Sequence, residues 1–266
     1  MTKDQVFEGL WKQYSGGNPS ADKIRELFHS RGDRVVNDHV AFRTLDDPRV
    51  GIDVLAKPFL ELGYKPAGDY SFSEKKLKAR HFELPGQAEA PRVFISELLL
   101  EELSDFARTT LVEQVDCLSD SLLQDPELIV AGSVFQPLSF EVYKRLREES
   151  EYAAWVYVWG YRANHFTVSV NHLDSFSSLE ELNAFLKSEG FPLNSSGGEI
   201  KGTAADFLEQ SSTLADRVEV DFIEGRHEVP SCYYEFARRY PDRQGILFSG
   251  FIAGSADKIF ESTDFR

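Results

Sequence analysis

Cysteine is nearly absent: the 266-residue chain has two, Cys117 and Cys232, far apart and in no CxxC pair. Two cysteines make neither a disulfide framework nor a structural zinc site, and they fit a reducing compartment. Basic residues are also scarce, 29 Lys and Arg against 44 Asp and Glu, for a formal charge of −15. Phosphate binding needs clustered Lys and Arg, so this balance argues against a nucleic-acid partner and disfavours an anionic membrane. No apolar run approaches the ~20 residues that span a bilayer. The opening stretch, MTKDQVFEGLWKQYSGG, reads as an amphipathic helix without a signal-peptide core, which predicts a cytoplasmic location. GxGxxG, P-loop and GxSxG motifs are all missing, as is any low-complexity segment. SSGGEIKG is glycine-rich but lacks the spacing of a nucleotide loop, and reads as a flexible hairpin or lid.

What is present suits a folded core: 42% of residues are hydrophobic and 21 are Phe. Residues 3 to 31 read as two helices broken at SGGNPS. NDHVAFRTLD reads as a strand. VGIDVLAKPFLELGY is helical in its apolar spacing, with Pro58 near a first turn or at a kink. YSFSEKK, ARHFELP and RVFISEL follow as strands. LLLEELSDFARTTLVEQVDCLSDSLL and LSFEVYKRLREESEYAAWV are helical, with breaks at Pro126 and Pro137. Strands resume at NHFTVSVNHL. A helix over SSLEELNAFLKSEGF comes next, with a capping box at Ser178 and Glu181 and Gly190 at its end. RVEVDFIEG, SCYYEFARRYP and GILFSGFIAG then follow as strand-like stretches.

The two strand-bearing stretches share a rhythm. His39 opens a strand and the helix after it ends at Gly63, 63 − 39 = 24 residues on; from His165 to Gly190 is 190 − 165 = 25. This spacing predicts a duplicated β-α-β-β-β unit, an α+β fold of paired modules forming a cupped mixed sheet, with N-terminal and inserted helices. One domain over residues 1–266 is expected, with modules at 33–97 and 161–250 and a helical insert at 98–160.

Side chains two apart share a face of a strand, so His39, Ala41 and Arg43 point one way and Val40 and Phe42 the other. An imidazole and a guanidinium on one face mean that the face meets water or lines a site. If the copies are related by pseudo-symmetry, His39 and His165 converge, and two facing histidines ask for a third metal ligand. Glu235 in SCYYEFARR is the candidate, because a carboxylate in so aromatic a strand is costly to bury alone. Two His and one carboxylate form the facial triad, which leaves positions open on an octahedral iron(II) for substrate and dioxygen. The plainer alternatives are hydrogen-bonded core histidines and an ion pair of Glu235 with Arg43, Arg238 or Arg239. Arg43 either reaches the surface along its stem or anchors a substrate carboxylate through its planar fork. His81 faces the same cavity or is a satisfied core imidazole; His29, His172 and His227 read as solvated. Glu97 is expected to cap the helix after its strand, and Gln210 to bond a ligand or close a turn.

NDHVAFRTL, PRVFISEL, NHFTVSVNHL and SCYYEFARRYP together resemble the family of 2-oxoadipate dioxygenase/decarboxylases, over residues 35 to 239. That resemblance implies a vicinal-oxygen-chelate fold related to hydroxyphenylpyruvate dioxygenase. It also implies an Fe(2+) cofactor on His39, His165 and Glu235, although other divalent metals suit the same donors. Arg43 would be the catalytic and substrate-binding arginine, with Gln210 a further substrate contact. The implied partners are a small 2-oxo acid and dioxygen: 2-oxoadipate is chelated, loses carbon dioxide and is hydroxylated to 2-hydroxyglutarate, a step of lysine catabolism. A metal-dependent lyase, isomerase or hydrolase on the same scaffold, and a non-catalytic binding protein, remain as alternatives.

Overall fold

In the computed structural model, which describes residues 2–263 except the side chains of Glu127, Ala256 and Asp257, the chain begins with α1 (Lys3–Gly16) and α2 (Pro19–Ser30). Thr2 and Gln5 form a capping box on α1, and Pro19 opens α2 with the fixed φ a first turn needs. The first module is β1 (Asn37–Leu45), the short helices α3 (Ile52–Leu55) and α4 (Lys57–Glu61), β2 (Lys65–Phe72), β3 (Leu77–Glu83) and β4 (Arg92–Leu98). Pro58 sits in the first turn of α4, where its missing N–H costs nothing. Helices α5 (Asp105–Asp116), α6 (Asp120–Leu123), α7 (Phe140–Glu149) and α8 (Glu151–Trp159) come between the modules. The second module is β5 (Ala163–Ser169), α9 (Leu179–Ser188), β6 (Lys201–Thr203), β7 (Leu208–Ser212) and, after the hairpin β8 (Arg217–Phe222) and β9 (Gly225–Pro230), β10 (Tyr233–Arg239). Helix α10 (Ala253–Ile259) and a 3-10 turn over Phe260–Thr263 close the described chain.

Eight strands form one mixed sheet in the order β2-β3-β4-β1-β5-β10-β7-β6, so each module supplies four adjacent strands. Each module pairs its first and last strands in parallel, β1 with β4 and β5 with β10. The modules join where β1 and β5 run antiparallel, the arrangement a duplicated β-α-β-β-β unit requires. The fold is therefore the paired-module α+β sheet that the sequence spacing predicts.

One face of the central strands is packed by the N-terminal helices. Trp11 lies 5.2 Å from Phe166 and Phe28 lies 6.2 Å from Phe236, ring to ring. Each buried aromatic ring of this kind contributes roughly 1.5–3 kcal/mol. Helix α8 is apolar all round from Tyr152 to Trp159 and is buried all round, as such a helix must be. Gly160 ends it at φ +67, and a Cβ there would meet the Gly132 carbonyl oxygen at 2.5 Å. Helix α10 spans the opposite face and touches β2 of one module and β6 and β7 of the other.

Four local readings change. RVEVDFIEG does not join the main sheet but pairs with β9 as a separate two-stranded ribbon. GILFSGFIAG is no strand: apart from a single bridge at Leu247 it is a loop that leads into α10. The run LSFEVYKRLREESEYAAWV breaks at Ser150, whose hydroxyl accepts from Ala153 N–H and starts α8 afresh. SSGGEIKG ends in the edge strand β6 rather than forming a free lid. Among the described residues no helix is long and apolar enough to cross a membrane.

Candidate metal centre

Strand register decides which side chains meet. Residues paired across a sheet point to the same face, so the pairings His39–Thr167, Ala41–His165, Tyr233–His165, Glu235–Thr167 and Ala237–Gln210 set these side chains on one concave surface. On that surface His39, His165 and Glu235 each offer one ligand atom, all within 4.8 Å of one another and all buried. His39 Nε2 lies 3.6 Å from Glu235 Oε1, and His165 Nε2 lies 3.2 Å from Glu235 Oε2. Ligands at right angles on a metal with bonds of ~2.0–2.2 Å stand about 3 Å apart, so the spacing suits one cation.

The residue before each histidine fixes its tautomer. His39 Nδ1 lies 2.9 Å from Asp38 Oδ1, and His165 Nδ1 lies 3.0 Å from Asn164 Oδ1. An oxygen at Nδ1 keeps the proton there and leaves the Nε2 lone pair facing Glu235, the usual outer support of a metal-bound imidazole. Burial pushes both imidazoles below their ordinary range, His165 well below it. Asp38 is itself buried, yet Arg239 and His39 hold its carboxyl well below the usual range. Arg239 grips Asp38 through two bonds of 2.7 and 2.9 Å and also donates to the carbonyls of Phe248 and Gly250. Support beneath His39 is thereby tied to the loop above it.

Glu235 is fully buried, and burial pushes its carboxyl up to about 8 despite the hydrogen bond it accepts from Gln210 at 2.6 Å. Its Oε2 has no hydrogen-bond partner, nor has Gln210 Oε1. A buried carboxyl with an orphaned oxygen facing two neutral imidazoles is the donor set a divalent cation satisfies. Arg239 does not pair with Glu235, because Asp38 occupies it. Thr167 Oγ1 lies 3.0 Å from His39 Nε2, a neighbour that sequence reasoning missed.

Arg43 does not reach solvent. It is 1% exposed, and burial, which opposes its charge, is outweighed by Glu151, so its pKa stays raised. Nη1 donates to Glu151 Oε1 at 2.6 Å, while Nη2 makes longer contacts to Thr263 Oγ1 (3.1 Å) and the Phe260 carbonyl (3.4 Å). Of the three guanidinium nitrogens Nε alone has no partner, so its N–H keeps donor capacity for a carboxylate. Tyr152 and Trp155 lie 4.9 and 5.2 Å from the guanidinium carbon. Gln210, expected as a ligand contact, reaches the site through Glu235 and also lines the cavity there.

The other expected residues lie outside the cluster. His81 is a satisfied imidazole between Tyr70 Oη and Glu83 Oε1, each at 2.9 Å. Glu97 caps a helix, but it is α3: Oε2 accepts from Ile52 N–H at 3.1 Å, because parallel pairing brings β4 beside the end of β1. His172 bonds Ser169 Oγ, and His227 stacks on Phe140 at 3.7 Å, so neither is simply solvated, whereas His29 is exposed.

The cavity over the cluster is bounded by His39, His165, Glu235 and Gln210 on one side and by Phe251, Ile259 and Phe260 on the other, with about 20 Å³ free. That is space for about one water-sized sphere. Phe251 stands edge-on to His39 at 4.8 Å and packs on Phe94 at 4.9 Å. A wider cleft, about 540 Å³, lies elsewhere, between α7 and the β8–β9 ribbon, and among the described residues it gathers no cluster of metal-ligating side chains.

A family model described as 2-oxoadipate dioxygenase/decarboxylase matches residues 13–129 and 133–245. An Arabidopsis thaliana protein described as 2-oxoadipate dioxygenase/decarboxylase, chloroplastic, is 38% identical over 94% of this chain and 74% of its own length. The crystal structure of an Oryza sativa hydroxyglutarate synthase in complex with 2-oxoadipate is 36% identical with a TM-score of 0.91, covering 97% of this chain and 91% of that one. A Shewanella frigidimarina structure, provisionally described as a hydrolase, is 47% identical with a TM-score of 0.89, covering 94% and 98%. A glyoxalase-superfamily protein from Ralstonia eutropha shares the fold at 23% identity and a TM-score of 0.72, covering 92% and 84%.

Proposed function

Because the chain belongs to the 2-oxoadipate dioxygenase/decarboxylase family, we propose that it converts a 2-oxo dicarboxylic acid, 2-oxoadipate, into 2-hydroxyglutarate and carbon dioxide with one molecule of dioxygen, as a step of lysine breakdown. The carrying observation is the convergence of His39, His165 and Glu235, with Arg43 on the same face of β1 four residues after the first of them. Iron(II) held by these three donors would leave open positions for a chelating acid and for dioxygen, and would relay to dioxygen the electrons that the substrate itself gives up on losing carbon dioxide and on hydroxylation.

The protein's own groups do the rest. Asp38 and Asn164 keep the Nε2 lone pairs of the histidines facing inward, and Gln210 orients Glu235. Arg43, braced by Glu151, offers its unpaired Nε–H to the far carboxylate of the substrate. From the His39 rung to the Arg43 rung is four residues of strand, ~13 Å, and the long guanidinium stem reduces this to the reach of a short diacid. Phe251, Phe94 and Phe260 exclude water, which strengthens the charge pairing inside. A reducing, cytoplasmic setting suits the two free cysteines and a ferrous ion.

Anaerobic loading with iron(II), followed by oxygen-uptake assays across 2-oxo acids of graded length, tests the reading. The expected result is one equivalent each of oxygen consumed, carbon dioxide released and 2-hydroxyglutarate formed from 2-oxoadipate. The description of the Shewanella relative favours a second reading, a metal-dependent hydrolase. Turnover that runs without oxygen and survives replacement of iron by zinc would establish it and overturn the first.

A further inference from the structure

The concave face carries one polar group that the mechanism above leaves unused. Tyr233 precedes Glu235 by two residues on β10, so its side chain shares the Glu235 face, and it pairs across the sheet with His165. Its ring stacks on His165 at 4.6 Å and 25°. The backbone is pinned from behind, where Tyr14 Oη donates to the Tyr233 carbonyl at 2.6 Å. Tyr233 is 0% exposed, yet its hydroxyl has no hydrogen-bond partner. A buried phenol normally finds one, and a donor left without one costs free energy.

Three other orphaned atoms share this surface: Arg43 Nε, Gln210 Oε1 and Glu235 Oε2. The Tyr233 phenol lies within electrostatic reach of Arg43. It belongs to one small apolar cluster with Ala215 and Ile259, and Ile259 also walls the cavity over the metal ligands. Ala41, opposite His165 on the same rung, is the small residue between His39 and Arg43 on this face of β1. Tyr234 provides the contrast: its hydroxyl is also without a partner, but the ring lies on the opposite face among Trp11 and Phe236.

We propose that Tyr233 is a substrate-selecting residue, its hydroxyl donating, together with Arg43 Nε, to the far carboxylate of the 2-oxo dicarboxylate. This rests on the dicarboxylate reading above. The hydroxyl therefore discriminates a six-carbon 2-oxo diacid from a 2-oxo acid of equal length that ends in a methyl group. A site built to donate to a carboxylate rejects the analogue that lacks one, since its donors then stay buried and unpaired.

The test compares 2-oxoadipate with 2-oxohexanoate in the iron-loaded wild type, Tyr233→Phe and Tyr234→Phe. Two measurements are made: anaerobic binding, and kcat and KM in air. For Tyr233→Phe the dissociation constant and KM for 2-oxoadipate are expected to rise about tenfold or more. Values for 2-oxohexanoate should stay within about twofold, with iron content kept and thermal stability undiminished. Tyr234→Phe should leave the ratio between the two acids unchanged. Equal loss on both acids, or no loss on 2-oxoadipate, overturns the proposal. If the wild type oxidises neither acid, the function reading fails, and the anaerobic binding ratio still decides the role of Tyr233.

Discussion

At the scale of single residues, the site divides into groups that would touch a cation and groups that aim them. Asn164 touches nothing reactive, yet its oxygen holds the His165 proton on Nδ1. Asn164→Ala should therefore weaken iron(II) binding by about 10–100-fold, read by competition with a chelating dye, and leave the fold intact by circular dichroism. Unchanged affinity would mean that stacking on Tyr233 alone orients the ring. Arg43→Met should raise KM for 2-oxoadipate by about 10–100-fold, since a charge-assisted bond of this kind contributes ~1.5–3 kcal/mol, with iron stoichiometry near one. Loss of iron in that variant would make Arg43 a structural residue. His39, His165, Glu235 and Arg43 were legible because imidazole, carboxylate and guanidinium are costly to bury in a strand, so their presence there needs a cause. Phe251 and Tyr233 were hidden for the opposite reason: aromatic residues near strand sequence read as ordinary core. A usable signal for the supports did exist. Asp38 before His39 and Asn164 before His165 place the same kind of oxygen at the same position in both copies.

At the scale of elements, the central strands hold the donors and the C-terminal segment covers them. With about 20 Å³ free beneath Phe251, Ile259 and Phe260, a dicarboxylate enters only if this cover shifts. Binding of 2-oxoadipate to the iron-loaded protein without oxygen should change amide hydrogen exchange across α10 and the loop before it. The amides of β1, β5 and β10, paired on both sides, should stay protected. Protection changes confined to the β8–β9 ribbon would place entry at the wide cleft instead. Local sequence gave no hint of this cover: GILFSGFIAG has strand composition, and bonds from distant groups, Arg239 to the Phe248 and Gly250 carbonyls and Phe251 N–H to Tyr70 Oη, hold it as a loop over His39. Ser150 was missed similarly. Its N-cap role divides an apparently continuous helix and sets Glu151 in the first turn of α8, where it meets Arg43. The modules themselves were readable, because a repeated spacing is a property of the chain, whereas contacts between a loop and a distant strand are not.

At the scale of the whole molecule, one cation would join the two halves, since His39 comes from the first module and His165 and Glu235 from the second. Any ligand that binds only the folded chain stabilises it, by about 2.7 kcal/mol at a hundred times its dissociation constant. For a chain of this size that is a rise in Tm of roughly 5–10 °C, lost on adding a chelator. The gain should also depend on pH. Without metal, the folded chain keeps a proton on Glu235 up to about 8, whereas the unfolded chain releases it near its ordinary value of 4.5. That contribution to stability is complete below the unfolded value and is lost as pH rises through the folded one. His39 and His165 act in the other direction and at lower pH. Their depressed values mean that the unfolded chain takes up protons first as pH falls below about 6.5. Lys201, lowered to about 8 by burial, acts mainly above that pH. Between about 6.5 and about 8, Glu235 alone among these groups changes its contribution, with a slope of at most ~1.4 kcal/mol per pH unit. Metal-free protein should lose Tm across this window, and the stabilisation by iron(II) should grow by a matching amount, because the bound carboxylate carries no proton. Self-repulsion at a net charge of −15 also rises with pH, but it is shared by a Glu235→Gln variant. If metal-free wild type and Glu235→Gln lose Tm equally over the window, the buried carboxyl is already ionised, and a cation is not what relieves it.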